Sequence, residues 1–340
     1  MKEQSAVLVT GGAGYIGSHV VRQLAEVGER VIVLDNLSTG FAESVLHGDL
    51  IVGDTGDRET VLAILRENRV DAVMHFAAHT VVPESVRDPL KYYRNNTSST
   101  RTLLECCREA GVRHFVFSST AAVYGMPDDG FASEDTPTLP INPYGRSKLM
   151  SEWMLHDLAL VTDLNYVAFR YFNVAGCDPY ARIGQSTPNA TLLIKVACET
   201  AIGKRSQLKI FGTDYPTPDG TGVRDFIHVE DLADAHRLGL EYLRNDGDSS
   251  VFNCGYGHGY SVREVLDSVQ RVTGKSLTIE EAARRPGDPP RLIADAGRLH
   301  QRLGWKPRYD DLDFIVETAW NWERRVSAPR SQGPWLAPVR

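Results

Sequence analysis

The sequence predicts an α/β protein with a doubly wound parallel sheet, followed by a smaller mixed α/β domain. Three observations predict this fold. Short β-branched runs alternate with segments whose apolar residues recur at helical spacing, a glycine-rich turn joins the first strand to the first helix, and the alternation becomes irregular after residue 175. We therefore expect a sheet domain over residues 1–175, a second domain over 176–326, and a poorly ordered polar tail over 327–340.

The start of the chain has the pattern of a dinucleotide-binding unit. The apolar run Ala6–Thr10 leads into the segment GGAGYIG, residues 11–17, which is followed by a predicted helix. Glycines permit a tight turn and bring the N–H groups of the helix N-terminus close to a pyrophosphate. A second predicted strand ends in Asp35, at the spacing of the carboxylate that binds a ribose in Rossmann folds. Because Asp35 would repel a 2′-phosphate and Asn36 follows it with no arginine, the pattern favours NAD over NADP.

Further predicted strands end at the same edge of the sheet. They are expected at residues 50–54, 71–78, 114–118 and 165–170, with helices at 58–68 and 95–110. Parallel sheets bind ligands at this edge, so Asp54 and the segment Phe76-Ala77-Ala78 are candidates for cofactor contact. For Asp54 the alternative is a helix N-cap. His75 and His79 have the spacing of a metal pair, but they flank a strand end without further ligands, and we expect no metal site.

A phenol and an ammonium stand one helical turn apart in the segment Tyr144-Gly145-Arg146-Ser147-Lys148. Residues i and i+4 share a helix face, and a lysine beside a tyrosine favours the phenolate, which can act as a base near neutral pH. An isolated pair of this kind usually means a packed tyrosine and a solvated lysine. Thr120 follows the strand predicted at 114–118, where its hydroxyl could pass a proton between a sugar hydroxyl and Tyr144. A local backbone hydrogen bond is the alternative for Thr120.

Composition and charge exclude several classes of protein. Hydrophobic residues make up 42% of the 340 and charged residues 24%, which is typical of a globular chain. The formal net charge of -7 argues against a general nucleic-acid binder or a membrane-surface protein. No apolar run is long enough to span a bilayer, and the first residues lack the features of a secretory signal. Five cysteines without paired CxxC spacing fit buried thiols in a reducing cytoplasm, with no zinc site.

Two segments of the second half carry the polar residues that are candidates for substrate binding. Phe211 and Arg224 lie in predicted turns, and Arg285 and Asp288 lie in the segment RRPGD. A guanidinium group can bind phosphate through two hydrogen bonds, and an aromatic ring can cover a base. Arginines on surface loops are usually only solvated. These residues alone therefore do not establish a nucleotide-phosphate site, and that interpretation depends on the motifs in the rest of the chain.

Together these motifs resemble the extended short-chain dehydrogenase/reductase superfamily, and more narrowly its UDP-sugar 4-epimerases. The resemblance extends to about residue 324 and rests on GGAGYIGSHV, LDNLSTG, HFAA with PESV, YYRNN, FSSTAAVYG, NPYGRSKLMSE, RYFNVAG, the IFGTDYPTPDGTGVRDFIHVEDLADAH segment and RRPGD. It implies NAD as cofactor and interconversion of UDP-glucose and UDP-galactose through a transient 4-keto sugar. It also implies a cytoplasmic homodimer joined through helices of the cofactor domain.

The resemblance implies roles for individual residues. Tyr144, Lys148 and Thr120 match the catalytic positions of the family. Tyr144 and Lys148 also match positions that contact the cofactor, and Tyr144 and Thr120 also match positions that contact the sugar. The other cofactor-binding positions are matched by Gly11, Gly14, Tyr15, Ile16, Gly17, Asp35, Asn36, Asp54, Phe76, Ala77, Ala78, Asn95 and Phe172. The positions that hold the UDP part of the substrate are matched by Asn173, Phe211, Arg224, Arg285 and Asp288.

Three positions depart from the pattern of the family. Thr80 stands where many members carry a lysine that contacts the nicotinamide ribose. Leu192 stands where members usually carry asparagine or histidine near the nucleotide, and leucine cannot replace that hydrogen bond. Leu292 takes the place of a bulky tyrosine that some members carry beside the sugar, and its smaller side chain would leave room for an N-acetyl group.

Related activities stay open at the level of sequence. A nucleotide-sugar dehydratase or a decarboxylating relative would use the same oxidation at C4, but dehydratases usually place acids after the threonine, where this chain has Ala121 and Ala122. Epimerases of UDP-GlcNAc or UDP-GalNAc, UDP-xylose or UDP-glucuronate are harder to separate from this pattern. A nucleotide-binding sensor without catalysis is disfavoured because Thr120, Tyr144 and Lys148 are all present.

Overall fold

The computed structural model describes residues 5–285 and 287–328. The tail predicted over 327–340 lies outside the described residues apart from its first two. The first part of the chain contains β1 (Ala6–Thr10), α1 (Tyr15–Glu26), β2 (Arg30–Asp35), β3 (Asp49–Val52), α2 (Arg58–Glu67), β4 (Val70–His75), α3 (Val82–Arg87), α4 (Pro89–Tyr92), α5 (Ser99–Ala110), β5 (His114–Ser118), β6 (Phe131–Ala132), α6 (Pro143–Ala159) and β7 (Asn165–Tyr171).

The second part of the chain has shorter strands and less regular alternation. It contains β8 (Asn173–Ala175), α7 (Leu193–Ala201), β9 (Leu208–Phe211), β10 (Val223–Arg224), β11 (Phe226–His228), α8 (Val229–Arg244), β12 (Ser250–Cys254), β13 (Tyr260–Ser261), α9 (Val262–Thr273), β14 (Ile279–Ala282), β15 (Arg291–Ala294), α10 (Gly297–Leu303) and α11 (Leu312–Ser327). Within the described ranges, no helix is long and apolar enough to cross a membrane.

Seven parallel strands form the central sheet, in the order β12-β7-β5-β4-β1-β2-β3. From β1 the chain moves outward to β2 and β3 on one side, and then to β4, β5, β7 and β12 on the other. A crevice forms at the carboxyl ends of the strands where the direction of winding changes, here between β1 and β4. The predicted doubly wound Rossmann sheet is therefore confirmed.

The central strand β1 is apolar because helices cover both faces of the sheet. Val7 and Val9 pack in one core with residues of α1 and α8, whereas Leu8 packs in the other core with residues of α2 and α5. Successive side chains of a strand point to opposite faces, so a strand buried on both sides is a continuous apolar run. This explains the sequence AVLVT, in which every residue is buried.

The sequence did not predict the seventh strand. β12 pairs with β7 from Ser250 opposite Val167 to Cys254 opposite Tyr171, and Phe252 is fully buried in the core that also contains Val7. Helix α8 packs against α1 on the same face. The chain thus returns to the sheet after residue 175, and a boundary drawn there assigns one strand and one helix of the sheet layers to the second domain.

The second part also forms small sheets and a separate core. A four-stranded sheet has the order β13-β10-β15-β6, and two further pairs join β11 to β8 and β14 to β9. Ile194 of α7, Leu266 of α9 and Ile315 of α11 are buried together in the core of this layer. Because β8 follows β7 directly and pairs with β11, this layer is anchored beside the carboxyl edge of the large sheet.

Phe252→Ala tests whether β12 is an integral strand of the central sheet. Removing a fully buried phenylalanine leaves a cavity, so we expect the free energy of unfolding to fall by about 3–5 kcal/mol in urea titrations. Val52→Ala on the edge strand β3, where the side chain is 64% exposed, is the matched control and should cost less than about 0.5 kcal/mol. Equal effects of the two substitutions would contradict the packing described for β12.

Candidate active site

A cleft of about 310 Å³ opens at the carboxyl edge of the sheet. It is called the first cleft below. Of the residues predicted to bind the cofactor, all except Lys148 line it: Gly11, Gly14, Tyr15, Ile16, Gly17, Asp35, Asn36, Asp54, Phe76, Ala77, Ala78, Asn95, Tyr144 and Phe172. The catalytic candidate Thr120 lines it as well. Residues from six predicted strand ends and three predicted helices therefore meet in one cleft.

The glycine turn after β1 leaves no room for side chains. Gly11 has φ +71, and a Cβ added there would lie 2.5 Å from the backbone nitrogen of Ala77, while one added at Gly17 would collide with the carbonyl oxygen of Gly11. Gly14 caps α1 without a side chain, and the first turn of the helix carries no acid. The uncapped N–H groups and the positive end of the helix dipole thus face the cleft, which fits the pyrophosphate of a dinucleotide.

Two carboxylates line the part of the first cleft beside β2 and β3. Asp35 accepts hydrogen bonds from the N–H groups of Ala13 (3.0 Å) and Leu37 (2.8 Å), and burial raises the pKa of its carboxyl group while these bonds oppose the rise. Asp54 accepts from the N–H of Gly56 (2.8 Å) and the side chain of Asn36 (3.0 Å). The adjacent helix α2 is capped by another residue, so the N-cap interpretation of Asp54 is wrong.

A π-helical turn places Asn95 in the first cleft. The turn spans Tyr93–Ser98 and precedes α5, so the helix predicted at 95–110 begins with a wider turn. Its Asn96 is buried, donates to the carbonyl of His79 (3.0 Å) and accepts from the N–H of the same residue (2.9 Å). These bonds hold the segment that follows β4 against the π-helical turn. His79 of that segment and Asn95 of the turn both line the first cleft.

His75 and His79 do not form a metal site. His75 is buried between the hydroxyls of Thr10 (2.6 Å) and Thr100 (2.8 Å), and burial, with a smaller effect of Lys148, lowers its pKa to about 3. Among the described residues, no group of three or more histidine, cysteine or acidic side chains could hold a metal ion. All five cysteines are buried free thiols.

Helix α6 begins where it can present Tyr144 to Thr120. Asn142 caps the helix by accepting from the N–H of Gly145 (2.8 Å), and Pro143 occupies the first turn, as predicted. A Cβ at Gly145 would lie 2.5 Å from the carbonyl oxygen of Ala122, so the first turn of α6 packs directly on the segment that follows β5. This close packing places Tyr144 beside Thr120, whose hydroxyl opposes the rise of the tyrosine pKa.

Thr120 forms the local backbone hydrogen bond that was the alternative for it, and its role in proton transfer stays a prediction. Its oxygen accepts from the N–H of Ala122 (3.2 Å), which caps the short 3-10 helix Ala121–Val123, and the hydroxyl is also hydrogen-bonded to Tyr144. Because the oxygen already accepts from an N–H, the hydroxyl proton is available for donation to the tyrosine oxygen or to a substrate oxygen.

Burial dominates the ionisation of Tyr144 and Lys148. It raises the pKa of Tyr144, which the hydrogen bond from Thr120 opposes, and it lowers the pKa of Lys148 to about 7, which the charge of Glu152 opposes. Lys148 donates to the carbonyl oxygen of Ser118 (2.8 Å) and lies 4.9 Å from the centre of the Phe117 ring. The prediction that the lysine lowers the tyrosine pKa is therefore wrong for the protein chain, in which burial raises that pKa.

A second cleft of about 480 Å³ adjoins the first. The five residues predicted to hold the UDP part of the substrate all line it: Asn173, Phe211, Arg224, Arg285 and Asp288. The guanidinium group of Arg285 lies 3.8 Å from the centre of the Phe211 ring, and Arg224 donates to Asp288 (2.6 Å). Ala190, Thr191 and Leu192 line both clefts, so the two cavities form one continuous binding region.

The sequence missed several residues that line the two clefts. In the first these include Ser38, Thr39, Gly53, Thr55, Val81, Ser118, Tyr171, Gln185 and Thr187. In the second they include Arg205, Gln207, Tyr215, Phe226 and Tyr260. Most lie in loops, where no periodic pattern shows which side chains point inward. Of the three departures from the family pattern, Thr80 and Leu192 line the first cleft, and Leu292, like Phe172, packs against the small core that contains Tyr124 and Leu149.

A dinucleotide cleft that runs to a buried Tyr-x-x-x-Lys helix defines a protein of the extended short-chain dehydrogenase/reductase class. The model of the NAD dependent epimerase/dehydratase family matches residues 7–255, and the chain belongs to that family. NAD is accordingly its cofactor, and the glycine turn fits the dinucleotide without a side chain in the way.

Several relatives that are similar over nearly the full chain are UDP-glucose 4-epimerases. The enzyme of Azospirillum brasilense is 54% identical over 99% of this chain and 98% of its own. The Brucella ovis UDP-glucose 4-epimerase, solved with NAD, is 45% identical with a TM-score of 0.91, covering 94% of this chain and 98% of its own. A Stenotrophomonas maltophila UDP-glucose-4-epimerase with NAD and formylated UDP-arabinopyranose is 39% identical with a TM-score of 0.92, covering 95% and 99%.

Gly17→Ala tests the fit of the cofactor to the glycine turn. The added methyl group would collide with the carbonyl oxygen of Gly11 and displace the turn, so purified protein should retain about tenfold less NAD per chain. The matched control is Gly297→Ala at the start of α10, where the nearest atom is a side-chain oxygen of Asp295 that can rotate away. Unchanged NAD content in Gly17→Ala would contradict the assignment of this turn to the pyrophosphate.

Proposed function

We propose that this protein is an isomerase that interconverts UDP-glucose and UDP-galactose by reversible oxidation at C4 of the sugar, with tightly held NAD. The observation that carries the proposal is the meeting of the two clefts. Phe172 lines the first cleft and its neighbour Asn173 lines the second, and the Thr120 and Tyr144 hydroxyls lie in the first. A nucleotide held in the second cleft can therefore extend its sugar to the tyrosine beside the cofactor.

In this proposal the second cleft binds the UDP part of the substrate. Arg224 and Arg285 supply the positive charge for the diphosphate, and the Phe211 ring covers the base. Asp288 and Asn173 provide an acceptor and an amide for the remaining polar groups of the nucleotide. Because Arg224 is paired with Asp288 in the protein alone, an anionic diphosphate competes with that carboxylate for the guanidinium group.

Thr120 and Tyr144 move the proton of the sugar hydroxyl at C4. Tyr144 is the base, since its oxygen receives that proton, and Thr120 donates a hydrogen bond that stabilises the phenolate. When bound, NAD supplies the acceptor and donor of hydride at C4 and a positive ring that favours a nearby phenolate. Lys148 holds the exit of β5 through the Ser118 carbonyl and adds a positive charge beside the tyrosine when protonated.

The arrangement favours return of the hydrogen to C4 over elimination of water. Among the described residues that line the first cleft, the only carboxylates are Asp35 and Asp54, which lie beside β2 and β3. Small apolar side chains, Ala121 and Ala122, follow Thr120. Among the described residues, no carboxylate beside Tyr144 can remove a second proton from a 4-keto intermediate. The arrangement therefore favours reduction of the ketone, and reduction of its opposite face inverts C4.

We further propose that the protein works in the cytoplasm as a homodimer. Five free, buried thiols fit a reducing compartment. On α6 the large side chain of Trp153 is 56% exposed, and Leu160 and Val161 at the end of the same helix are 72% and 76% exposed. Exposed apolar side chains on a helix of the cofactor domain support an interface of the kind that the family resemblance implies.

The activity is tested with purified protein, without added NAD, on UDP-galactose, with products identified by NMR. We expect UDP-glucose to form until equilibrium, and parallel reactions with UDP-GalNAc and UDP-xylose show how widely the sugar site accepts substrates. Absence of a 4-epimer from all three sugars would overturn the proposed function. A 4-keto-6-deoxy product would instead identify a dehydratase.

Tyr144→Phe removes the proposed base with little change in volume. We expect kcat for UDP-galactose to fall by about 10²–10⁴, because proton transfer contributes a factor of this size. Tyr166→Phe is the control, since Tyr166 is equally buried in the core outside both clefts and should leave kcat unchanged. If Tyr144→Phe retained near-normal turnover with a normal melting temperature, another group would have to be the base.

The oligomeric state is tested by analytical ultracentrifugation. We expect a mass of about twice the 37.7 kDa of one chain. A double variant, Trp153→Arg with Leu160→Arg, should shift the protein to single chains because it places charge in the proposed interface. Val52→Arg, on the exposed edge strand, should leave the mass unchanged. A single-chain mass for the unmodified protein would contradict the homodimer.

A further inference from the structure

Tyr215 has a buried hydroxyl group that no residue of the described chain satisfies. The side chain lines the second cleft beside Phe211, Arg224 and Asp288, and the residue is only 6% exposed. Its hydroxyl oxygen is inaccessible to solvent and has no hydrogen-bond partner among the described residues. An unpaired buried hydroxyl costs free energy, so a partner supplied by a ligand in the cleft would be stabilising.

The ring of Tyr215 is held in position by its own turn. Gly212 has φ +84, and a Cβ added there would lie 2.5 Å from the tyrosine ring, so the ring folds back over the glycine. The guanidinium group of Arg284 lies 4.3 Å from the ring centre and is itself bonded to Asp214 (2.7 Å). The backbone N–H of Tyr215 donates to the carbonyl oxygen of Gly220 (2.9 Å). The hydroxyl is thus fixed before any ligand binds.

The charges around Tyr215 keep its hydroxyl protonated. Burial raises the pKa of the phenol, Asp288 raises it further, and Arg224 and Arg284 oppose the rise. At neutral pH the group therefore has a proton to donate. It lies close to the ion pair of Arg224 with Asp288, the pair that an anionic diphosphate would open.

We infer that Tyr215 is a further binding residue of the second cleft, whose hydroxyl group donates a hydrogen bond to the UDP part of the substrate. The inference rests on the proposed function, since it names a contact within the same nucleotide site. Two consecutive arginines, Arg284 and Arg285, each lie against one of two aromatic rings in the segment 211–215. Arg285 lies over the Phe211 ring, and Arg284 lies over the second ring, Tyr215.

Tyr215→Phe removes the hydroxyl and keeps the ring. With UDP as the probe, isothermal titration calorimetry of the NAD-containing protein should show a Kd raised about tenfold, the loss of one hydrogen bond to an anionic ligand. The KM for UDP-galactose should rise with the Kd, and kcat should fall less than kcat/KM, because the nucleotide lies away from C4. The melting temperature without UDP should be unchanged or higher, since the variant lacks an unsatisfied group.

Tyr166→Phe serves as the control for the loss of one tyrosine hydroxyl from a buried ring and should leave the Kd for UDP unchanged. A Kd for Tyr215→Phe within twofold of the unmodified protein overturns the inference and leaves the proposed function intact. A lower melting temperature together with unchanged UDP affinity overturns it too, because it shows a structural role. Failure of the unmodified protein to bind UDP or to epimerise UDP-galactose would overturn both proposals.

Discussion

The packing of α6 on the segment after β5 is the contact on which the proposed chemistry depends. Gly145 allows the first turn of the helix to meet the Ala122 carbonyl, and this contact sets Tyr144 against Thr120 and Lys148 against Ser118. The same packing removes water from both ionisable groups. Burial therefore raises the pKa of the phenol and lowers the pKa of the amine to about 7. The positive charge that NAD would supply when bound opposes the effect of burial on the phenol.

In the proposed function the second cleft binds the nucleotide, and the first cleft contains the groups that react with the sugar. The nucleotide is held by side chains of the second part of the chain, such as Arg224, and the reacting hydroxyl groups belong to the first part. These parts are joined tightly, since β12 of the second part pairs with β7 of the first part, from Ser250 opposite Val167 to Cys254 opposite Tyr171. A substrate held through its nucleotide can leave its sugar weakly bound, and a weakly bound sugar can turn to present either face.

The sequence predicted the part of the fold that local patterns describe. The strands of the first half and the helix start at Pro143 follow from apolar periodicity and from capping residues. β12 was missed because the run SVFNC is short and its partner, β7, lies about eighty residues earlier. No local pattern shows such a pairing. The sequence left an N-cap role open for Asp54, but Asp57 caps α2. Both acids follow β3, and only their distance from the start of the helix distinguishes them.

The residues of the candidate site could likewise be named from the sequence only where a local motif marks them. Motif residues such as Arg285 and Phe211 reach the second cleft as the family resemblance implies. Tyr215 lies in the segment IFGTDYPTPDG, but no sequence pattern marks it as a ligand-binding residue, because its ring position against Gly212 and the lack of a hydroxyl partner among the described residues appear only in the structure. The charge state of Lys148 also could not be predicted, since it depends on how deeply the packed helix buries the amine.

The central claim is that the hydrogen removed from C4 returns to C4 of the same sugar. It is tested by incubating the protein, without added NAD, with UDP-galactose carrying deuterium at C4, and by analysing the product UDP-glucose by NMR and mass spectrometry. The account predicts full retention of deuterium at C4 in ordinary water. Loss of the label to solvent would contradict it, because it would show that C4 exchanges its hydrogen as a proton.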